Sequence, residues 1–73
     1  MPDHPDLKNN LTIRRKAAGW TQAELADRVM VSRKTINTIE NGVFIPSTVL
    51  ALKLAATFGC TVHDLFSLPR EAE

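Results

Sequence analysis

The sequence predicts an all-α fold, a compact domain of five short helices. Helix-capping signals divide the chain, and the apolar residues between them recur three or four positions apart, which is the spacing of one helix face. No stretch alternates apolar and polar residues with a period of two, so no strand is expected. A chain of 73 residues is long enough for one domain at most.

Each predicted helix rests on a start or a stop signal. Gly19 is a natural C-terminal cap for the first helix. Thr21, followed three residues later by Glu24, forms a capping box for the second. Pro69 is expected to terminate the last helix. The first predicted helix runs from about Leu7 to Ala18 and the second from Gln22 to about Val29. The third runs from the Ser32 cap to Asn41-Gly42, and the fourth from Pro46-Ser47 to Gly59. The fifth begins at the Thr61 cap, with Asp64 at its third position, and runs through Phe66.

The predicted domain occupies residues 7–66. Residues 1–6 contain two prolines and are expected to form a loose N-terminal arm, and residues 67–73 a short C-terminal tail. Because a chain this short buries only a modest core, we expect stability to come from close helix packing and from dimerisation.

The composition argues against a disulfide, a metal site and a membrane span. Cys60 is the only cysteine, and Cys60 with His4 and His63 falls short of the roughly four ligands of a zinc site. No apolar run approaches the ~20 residues that cross a bilayer. The first ten residues are too polar for a secretory signal. The expected compartment is the cytoplasm.

Positive charge is concentrated in one part of the chain. The formal net charge is +1, but residues 8–45 carry +4, whereas residues 1–7 carry −2 and residues 46–73 carry −1. Such an asymmetry suits a polyanion bound on one face, although charge runs are more often solvated surface.

The most informative stretch runs from Gln22 to Glu40, where two short helices are joined by about three residues. Two helices that cross steeply over so short a turn need a small residue where their backbones meet, and Ala26 provides it. They also need apolar residues that face a common core. The residues expected to do so are Leu25, Val29, Val31, Ile36 and Ile39.

The outer face of the second of these helices is polar and carries no acid. A helical wheel places Lys34, Asn37, Thr38 and Asn41 opposite the core side, and Arg33 projects from the first turn. Arg and Lys can donate to guanine, Asn can pair with adenine, and Thr can contact a thymine methyl. The face therefore suits base recognition; the alternative is an ordinary solvated helix face.

Glu40 falls on the core side of the same helix. A carboxylate there is costly unless a partner neutralises it, and Arg15 on the first helix is the best candidate. The alternative is that Glu40 lies at the rim of the core and is solvated.

Taken together, these residues resemble the Cro and phage-repressor type of helix-turn-helix protein, also called the xenobiotic-response-element family. The resemblance extends over roughly residues 7–66. The matching string is Arg15-x-x-x-Gly19-x-Thr21-Gln22-x-x-Leu25-Ala26-x-x-x-x-Val31-Ser32-x-x-x-Ile36-x-x-x-Glu40-Asn41-Gly42-x-x-x-Pro46-Ser47.

The resemblance implies a five-helix, lambda-repressor-like domain that binds a palindromic double-stranded DNA operator as a homodimer. By position, it also implies roles for individual side chains. The implied base-reading residues are Arg33, Lys34, Asn37 and Thr38; the implied phosphate-contacting residues are Gln22, Ser32 and Asn41; and Arg15 and Glu40 are implied to form an internal ion pair.

Two positions depart from the family pattern. Met30 stands in the turn where the family usually has glycine, at a position expected to need a positive φ, which costs on the order of 1 kcal/mol for other residues. Arg14 stands in the first helix where the family usually has an apolar residue. Either its stem packs while the guanidinium reaches solvent, or the helix is slightly rotated.

Several apolar residues outside the helix-turn-helix have expected roles. Trp20, Phe58 and Phe66 are expected in the core. Phe44 and Ile45, in the loop after the third helix, are expected to fold over as a lid, with a DNA-backbone contact or an interface as alternatives. A two-fold dimer is expected to form through the region of the fourth and fifth helices. The residues expected at its surface are Leu65, Phe66 and Leu68.

The sequence thus predicts a transcriptional regulator that acts as a repressor by promoter occlusion at the nucleoid of a prokaryotic or phage-infected cell. The alternative is an antitoxin-type module that neutralises a partner toxin and autoregulates its operon. The sequence has no catalytic cluster, so an enzyme is not expected, and neither is a cofactor, a metal or a small-molecule effector domain.

Overall fold

A computed structural model of the protein describes residues 7–68. Within them the chain forms five helices and one two-stranded sheet. The elements are β1 (Lys8–Asn9), α1 (Leu11–Ala17), α2 (Gln22–Val29), α3 (Arg33–Glu40), α4 (Thr48–Phe58), α5 (Val62–Leu65) and β2 (Phe66–Ser67).

The predicted caps start four of the helices. The side chain of each N-cap residue accepts a hydrogen bond from a backbone N–H in the first helical turn, which satisfies a donor that has no partner inside the helix. Thr21 and Thr61 complete capping boxes with Glu24 and Asp64, whose carboxylates accept from the backbone N–H of the cap residue. The four N-cap residues are Thr21, Ser32, Ser47 and Thr61.

The first helix begins later than the sequence predicts, because a strand precedes it. α1 starts at Leu11 rather than at about Leu7. The expectation of no strand is wrong, because β1 pairs antiparallel with β2, Lys8 opposite Ser67 and Asn9 opposite Phe66. Strands of two residues are too short to produce an alternating pattern, so their pairing leaves no local signal in the sequence.

The same pairing changes the end of the chain's last helix. α5 ends at Leu65, one residue before the predicted end, since Phe66 has the extended backbone of a strand (φ −129°, ψ 136°). Asn10 joins the two ends of the domain: its N–H donates to the carbonyl of Leu65 at 2.8 Å, and its side-chain amide donates to the carbonyl of Asp64 at 3.1 Å. The expected stop at Pro69 lies outside the described residues.

One apolar core joins all five helices and β2. Half-buried Trp20 and Phe58 cover its edge, with ring centroids 5.4 Å apart. On α1, Arg14 is half-buried, whereas its neighbour Ile13 is exposed. The buried core residues are Leu11, Leu25, Ala26, Val29, Ile36, Ile39, Leu50, Ala51, Leu54, Ala55, Leu65 and Phe66.

Two expectations about exposed apolar residues are wrong. Leu65 and Phe66 cannot form a dimer surface, because α5 and β2 pack them into the core, and of the three expected residues only Leu68 remains exposed. Phe44 and Ile45 do not fold over as a lid, since each keeps nearly half of its surface in solvent. Across residues 7–68, no helix combines the length and the hydropathy needed to cross a bilayer.

Candidate nucleic-acid interface

The turn between α2 and α3 sets the angle of the helix-turn-helix. α2 ends at Met30, whose backbone is left-handed (φ 63°, ψ 44°), as the sequence predicts for this position. The N–H of Val31 then donates to the carbonyl of Ala26 at 3.0 Å. Ala26 itself is only 2% exposed, so the small side chain is needed where α2 meets the rest of the domain. Ser32 caps α3 directly after this turn.

The two faces of α3 have opposite character. Ile36 and Ile39 are buried in the core. Arg33, Lys34 and Asn37 are exposed on the other side. Among the described residues, neither Arg33 nor Lys34 forms an ion pair, so both cations are available to an external anion or base edge. α3 therefore exposes a polar, cationic face, while its opposite, apolar face packs in the core.

Thr38 lies at the border between these faces and is half-buried. Its hydroxyl donates to the carbonyl of Thr35 at 3.0 Å. Its own carbonyl accepts from the N–H groups of Val43 at 2.9 Å and Phe44 at 3.2 Å. Thr38 thus fixes the loop after α3 as well as contributing to the polar face.

Ser32 and Asn41 occupy the two ends of α3, and both are exposed. The Ser32 hydroxyl accepts from the N–H of Thr35 at 3.1 Å and shares a hydrogen bond with the Thr35 hydroxyl at 3.0 Å. Asn41 is the C-cap residue, and its N–H donates to the carbonyl of Asn37 at 3.1 Å. The backbone at both ends of α3 is therefore held in place.

Arg15 and Glu40 form an ion pair between α1 and α3. The Arg15 Nε donates to Glu40 Oε2 at 2.6 Å, and its Nη2 donates to Glu40 Oε1 at 3.2 Å. The Arg15 Nη1 also donates to the carbonyl of Trp20 at 2.9 Å. The two side chains are only 11% and 5% exposed. This pair connects α1, α3 and the segment that leads into α2.

Both members of the pair are charged at neutral pH. Burial acts to raise the pKa of Glu40, but hydrogen bonds from Arg15, Gln22 and Thr12 outweigh it, so the pKa lies below its ordinary value. The hydrogen bond to Glu40 raises the pKa of Arg15. The pair is thus a fixed feature of the folded protein across the physiological range of pH.

Gln22 makes a contact that the sequence does not predict. The side-chain amide nitrogen of Gln22 donates to Glu40 Oε1 at 3.0 Å and to Asn37 Oδ1 at 3.2 Å. Gln22 is the first residue of α2, whereas Asn37 and Glu40 lie one turn apart on α3. The three-residue spacing of Asn37 and Glu40 puts them on one helix face, but which residue of α2 meets that face depends on the crossing geometry.

Arg28 supports the edge of the core from α2. Its guanidinium lies 4.1 Å from the centre of the Trp20 ring, and its Nη1 donates to the carbonyl of Glu24 at 3.3 Å. A cation over an indole face is favourable. This arginine therefore has a partner within the protein, in contrast to Arg33 on α3.

Comparison with known proteins agrees with this geometry. A family model described as helix-turn-helix matches residues 11–65. The chain is 37% identical over 65 residues to the uncharacterized HTH-type transcriptional regulator YgzD of Bacillus subtilis (strain 168), covering 89% of this chain and 98% of that protein. It is 36% identical over 63 residues to the competence pilus inhibition repressor of Acinetobacter baylyi, covering 86% of this chain and 57% of that protein.

The fold has a counterpart among solved structures. The crystal structure of the hypothetical transcription factor NHTF from Neisseria superposes with a TM-score of 0.74 at 27% identity, covering 86% of this chain and 72% of that chain. The family match and the two relatives agree with the geometry of α2 and α3. Together they assign the chain as a transcriptional regulator and not as an enzyme. The chain belongs to the Cro and phage-repressor type of helix-turn-helix family of DNA-binding transcriptional regulators.

Proposed function

We propose that the protein binds a palindromic DNA operator as a homodimer and represses transcription by occluding the promoter. The observation that carries the proposal is the outer face of α3, which exposes Arg33, Lys34 and Asn37 but not Glu40, the one acid of this helix. The buried Arg15–Glu40 pair supports this face from behind and holds α3 against α1. The protein then acts at the nucleoid, in the cytoplasm.

In this proposal, different residues provide affinity and specificity. Phosphate contacts give most of the affinity and set the register, whereas contacts to base edges carry the sequence information. The proposed base-reading residues are Arg33, Lys34, Asn37 and Thr38. The proposed phosphate contacts are Ser32, Asn41 and Gln22, the last through its backbone N–H at the start of α2, because its side-chain amide hydrogens are used by Glu40 and Asn37.

Dimerisation is proposed because one recognition helix reads too few base pairs for useful specificity. Two half-sites about one helical turn apart would then be bound by two copies related by a two-fold axis. α4 supports this proposal, since it exposes a stripe of apolar residues on its solvent side, next to Lys53. Val49 and Leu52 are 63% and 56% exposed, and Ala56 continues the same stripe. Neighbouring apolar side chains exposed on one face of a helix indicate a partner surface.

Repression rather than activation is proposed from two considerations. A relative that is 36% identical is named as a repressor. A dimer on an operator that overlaps a promoter also needs no further surface in order to act, because it blocks RNA polymerase by occupying the site.

The function is tested by comparing one base-reading and one phosphate-contacting variant. Sites are first selected from a random duplex library, and binding is then measured on the preferred and on a scrambled sequence at one salt concentration. Arg33→Ala is expected to lose about 1–3 kcal/mol on the preferred site only and to relax the preference at one base pair. Asn41→Ala is expected to weaken both DNAs by similar factors, because a phosphate carries no direct sequence information. If Arg33→Ala weakens both DNAs equally, Arg33 is a backbone contact.

A further inference from the structure

A chain of hydrogen bonds runs from the buried ion pair to the exposed face of α3. Arg15 donates to Glu40, Glu40 accepts from Gln22, and Gln22 donates onward to Asn37. Glu40 is almost completely buried, whereas Asn37 is exposed on the face proposed to meet DNA. The chain therefore connects a fixed internal charge to a side chain that is proposed to read a base.

The hydrogen-bonding chemistry of this series of contacts fixes the orientation of the Gln22 and Asn37 side-chain amides. An ionised carboxylate accepts hydrogen bonds and cannot donate them, so the Gln22 atom that faces Glu40 must be the amide nitrogen. The same nitrogen carries a second hydrogen, which is directed at Asn37. Only the amide oxygen of Asn37 can accept it. The orientation of both amides thus follows from the charge on Glu40.

This orientation leaves Asn37 with a definite hydrogen-bonding character. Its Oδ1 is turned toward Gln22 on α2, which occupies one of the two acceptor positions of that oxygen. Among the described residues its Nδ2 has no partner, so Nδ2 is the atom left to face the groove. Recognition of adenine by Asn uses both atoms, with Nδ2 donating to N7 and Oδ1 accepting from the N6 amino group. Guanine offers two acceptors, N7 and O6, and needs only donors from the protein.

We propose that Glu40, acting through the positioning residue Gln22, turns the Asn37 amide so that it presents N–H donors to the major groove and selects guanine over adenine at one base pair of each half-site. This inference rests on the proposed function, because it requires α3 to lie in the groove. It replaces the pairing with adenine that the residue type alone suggests.

The test uses site selection from a random duplex library with the full chain and four variants. Asn37→Ala identifies the base pair that Asn37 contacts, since the preference there should disappear. At that base pair the wild type is expected to bind guanine about five- to tenfold more tightly than adenine, the effect of roughly one good hydrogen bond.

The other variants test whether the base preference depends on the orientation of the Asn37 amide or only on the presence of the Asn37 side chain. Asn37→Asp has the same shape and can still accept from Gln22, but it turns an oxygen toward the groove, so the preference is expected to change to cytosine or adenine, whose amino groups donate. Gln22→Ala releases the Asn37 amide, so guanine and adenine should bind within about twofold of each other there, with preferences elsewhere unchanged. Asn41→Ala is the matched control, because Asn41 is an exposed amide at the C-cap of α3 that does not contact Gln22. It should weaken binding overall but leave the base preference at this position unchanged.

The outcomes distinguish the inference from the function on which it rests. An Asn37-dependent preference for adenine, or an unchanged guanine preference in Gln22→Ala, overturns the orienting role of Glu40 and Gln22 while DNA binding stands. No enriched sequence with the wild-type protein overturns the proposed function itself. Thermal unfolding of each variant, recorded beside the selections, identifies any loss of binding that is due to unfolding.

Discussion

At the scale of single residues, Glu40 is the side chain on which most of the site depends. It is 5% exposed, it accepts two hydrogen bonds from Arg15 and one from Gln22, and it lies at the last position of α3. Its carboxylate thus holds α3 against α1 and orients Gln22, which in turn donates to Asn37. A neutral apolar side chain at this position would leave the charge of Arg15 buried and without its partner.

The first prediction concerns the stability that depends on this carboxylate. Glu40→Ala is expected to lower the free energy of unfolding by about 1.5–3 kcal/mol, because it removes charge-assisted hydrogen bonds of a largely shielded pair and leaves Arg15 without its counter-charge. Lys34→Ala, on the exposed face of the same helix, should change it by less than about 0.5 kcal/mol. Urea unfolding followed by circular dichroism measures both. Equal midpoints for the two variants would mean that Glu40 is effectively solvated.

The second prediction concerns pH. The pKa of Glu40 is lower in the folded protein than its ordinary value of 4.5, so the carboxylate stabilises the fold above that pH and loses this contribution as the pH falls through the lowered value. The wild type should therefore exceed Glu40→Gln in free energy of unfolding at neutral pH, and the difference should shrink below about pH 4.5.

Comparison with Glu40→Gln isolates this group from other carboxylates. Backbone hydrogen bonds from Thr21 and Thr61 lower the pKa of Glu24 and Asp64, so these two also contribute to acid sensitivity. They are present in both proteins and cancel in the difference. A difference that stays constant from neutral pH to pH 3 would contradict the assignment to Glu40.

At the scale of elements, local signals account for what the sequence predicts correctly. The caps at Thr21, Ser32, Ser47 and Thr61 are side chains that bond to their own helices, so a few neighbouring residues determine where each helix starts. The β1–β2 pairing joins residues that are far apart in the sequence, and no local sequence pattern predicts it. The late start of α1 and the burial of Phe66 both follow from that pairing.

The same distinction applies to the site. The exposure of Arg33, Lys34 and Asn37 is predictable from the 3.6-residue period, because it depends only on position around one helix. The contact of Gln22 with Asn37 depends on how α2 crosses α3, which periodicity does not specify. The hydrogen-bonding direction of Asn37 is therefore a property of the packed structure and not of the residue type.

The third prediction concerns the turn between α2 and α3. Met30 has φ 63° and a side chain that is 83% exposed, so it has the strain of a left-handed backbone and little packing to offset it. Met30→Gly is expected to raise the free energy of unfolding by about 0.5–1 kcal/mol, after allowing for the greater entropy of the unfolded glycine chain. Met30→Ala keeps the Cβ and should be within about 0.5 kcal/mol of the wild type. If the glycine variant is no more stable than the alanine variant in urea unfolding, the turn is not strained by its Cβ.

At the scale of the whole molecule, the apolar surface is distributed unevenly. The core side of α4 packs Leu50 and Leu54 against the other helices, while its opposite side exposes Val49 and Leu52. The expected dimer residues Leu65 and Phe66 are used by the core, so the exposed stripe of α4 is the surface proposed for a second copy.

The last prediction tests this arrangement. Leu52→Gln is expected to weaken self-association at least about tenfold, because burying a leucine side chain contributes about 1.5–3 kcal/mol and the two-fold axis would bring both copies into the interface. Operator affinity should fall with it, since each half-site alone binds weakly. Ile13→Gln is the matched control: Ile13 is 69% exposed on α1, and its replacement should change neither association nor DNA binding. Sedimentation velocity over a range of concentrations, with and without operator DNA, measures the association directly. A wild-type protein that is monomeric both free and on its operator would exclude the dimer altogether, and a loss of association in Ile13→Gln alone would move the interface to α1.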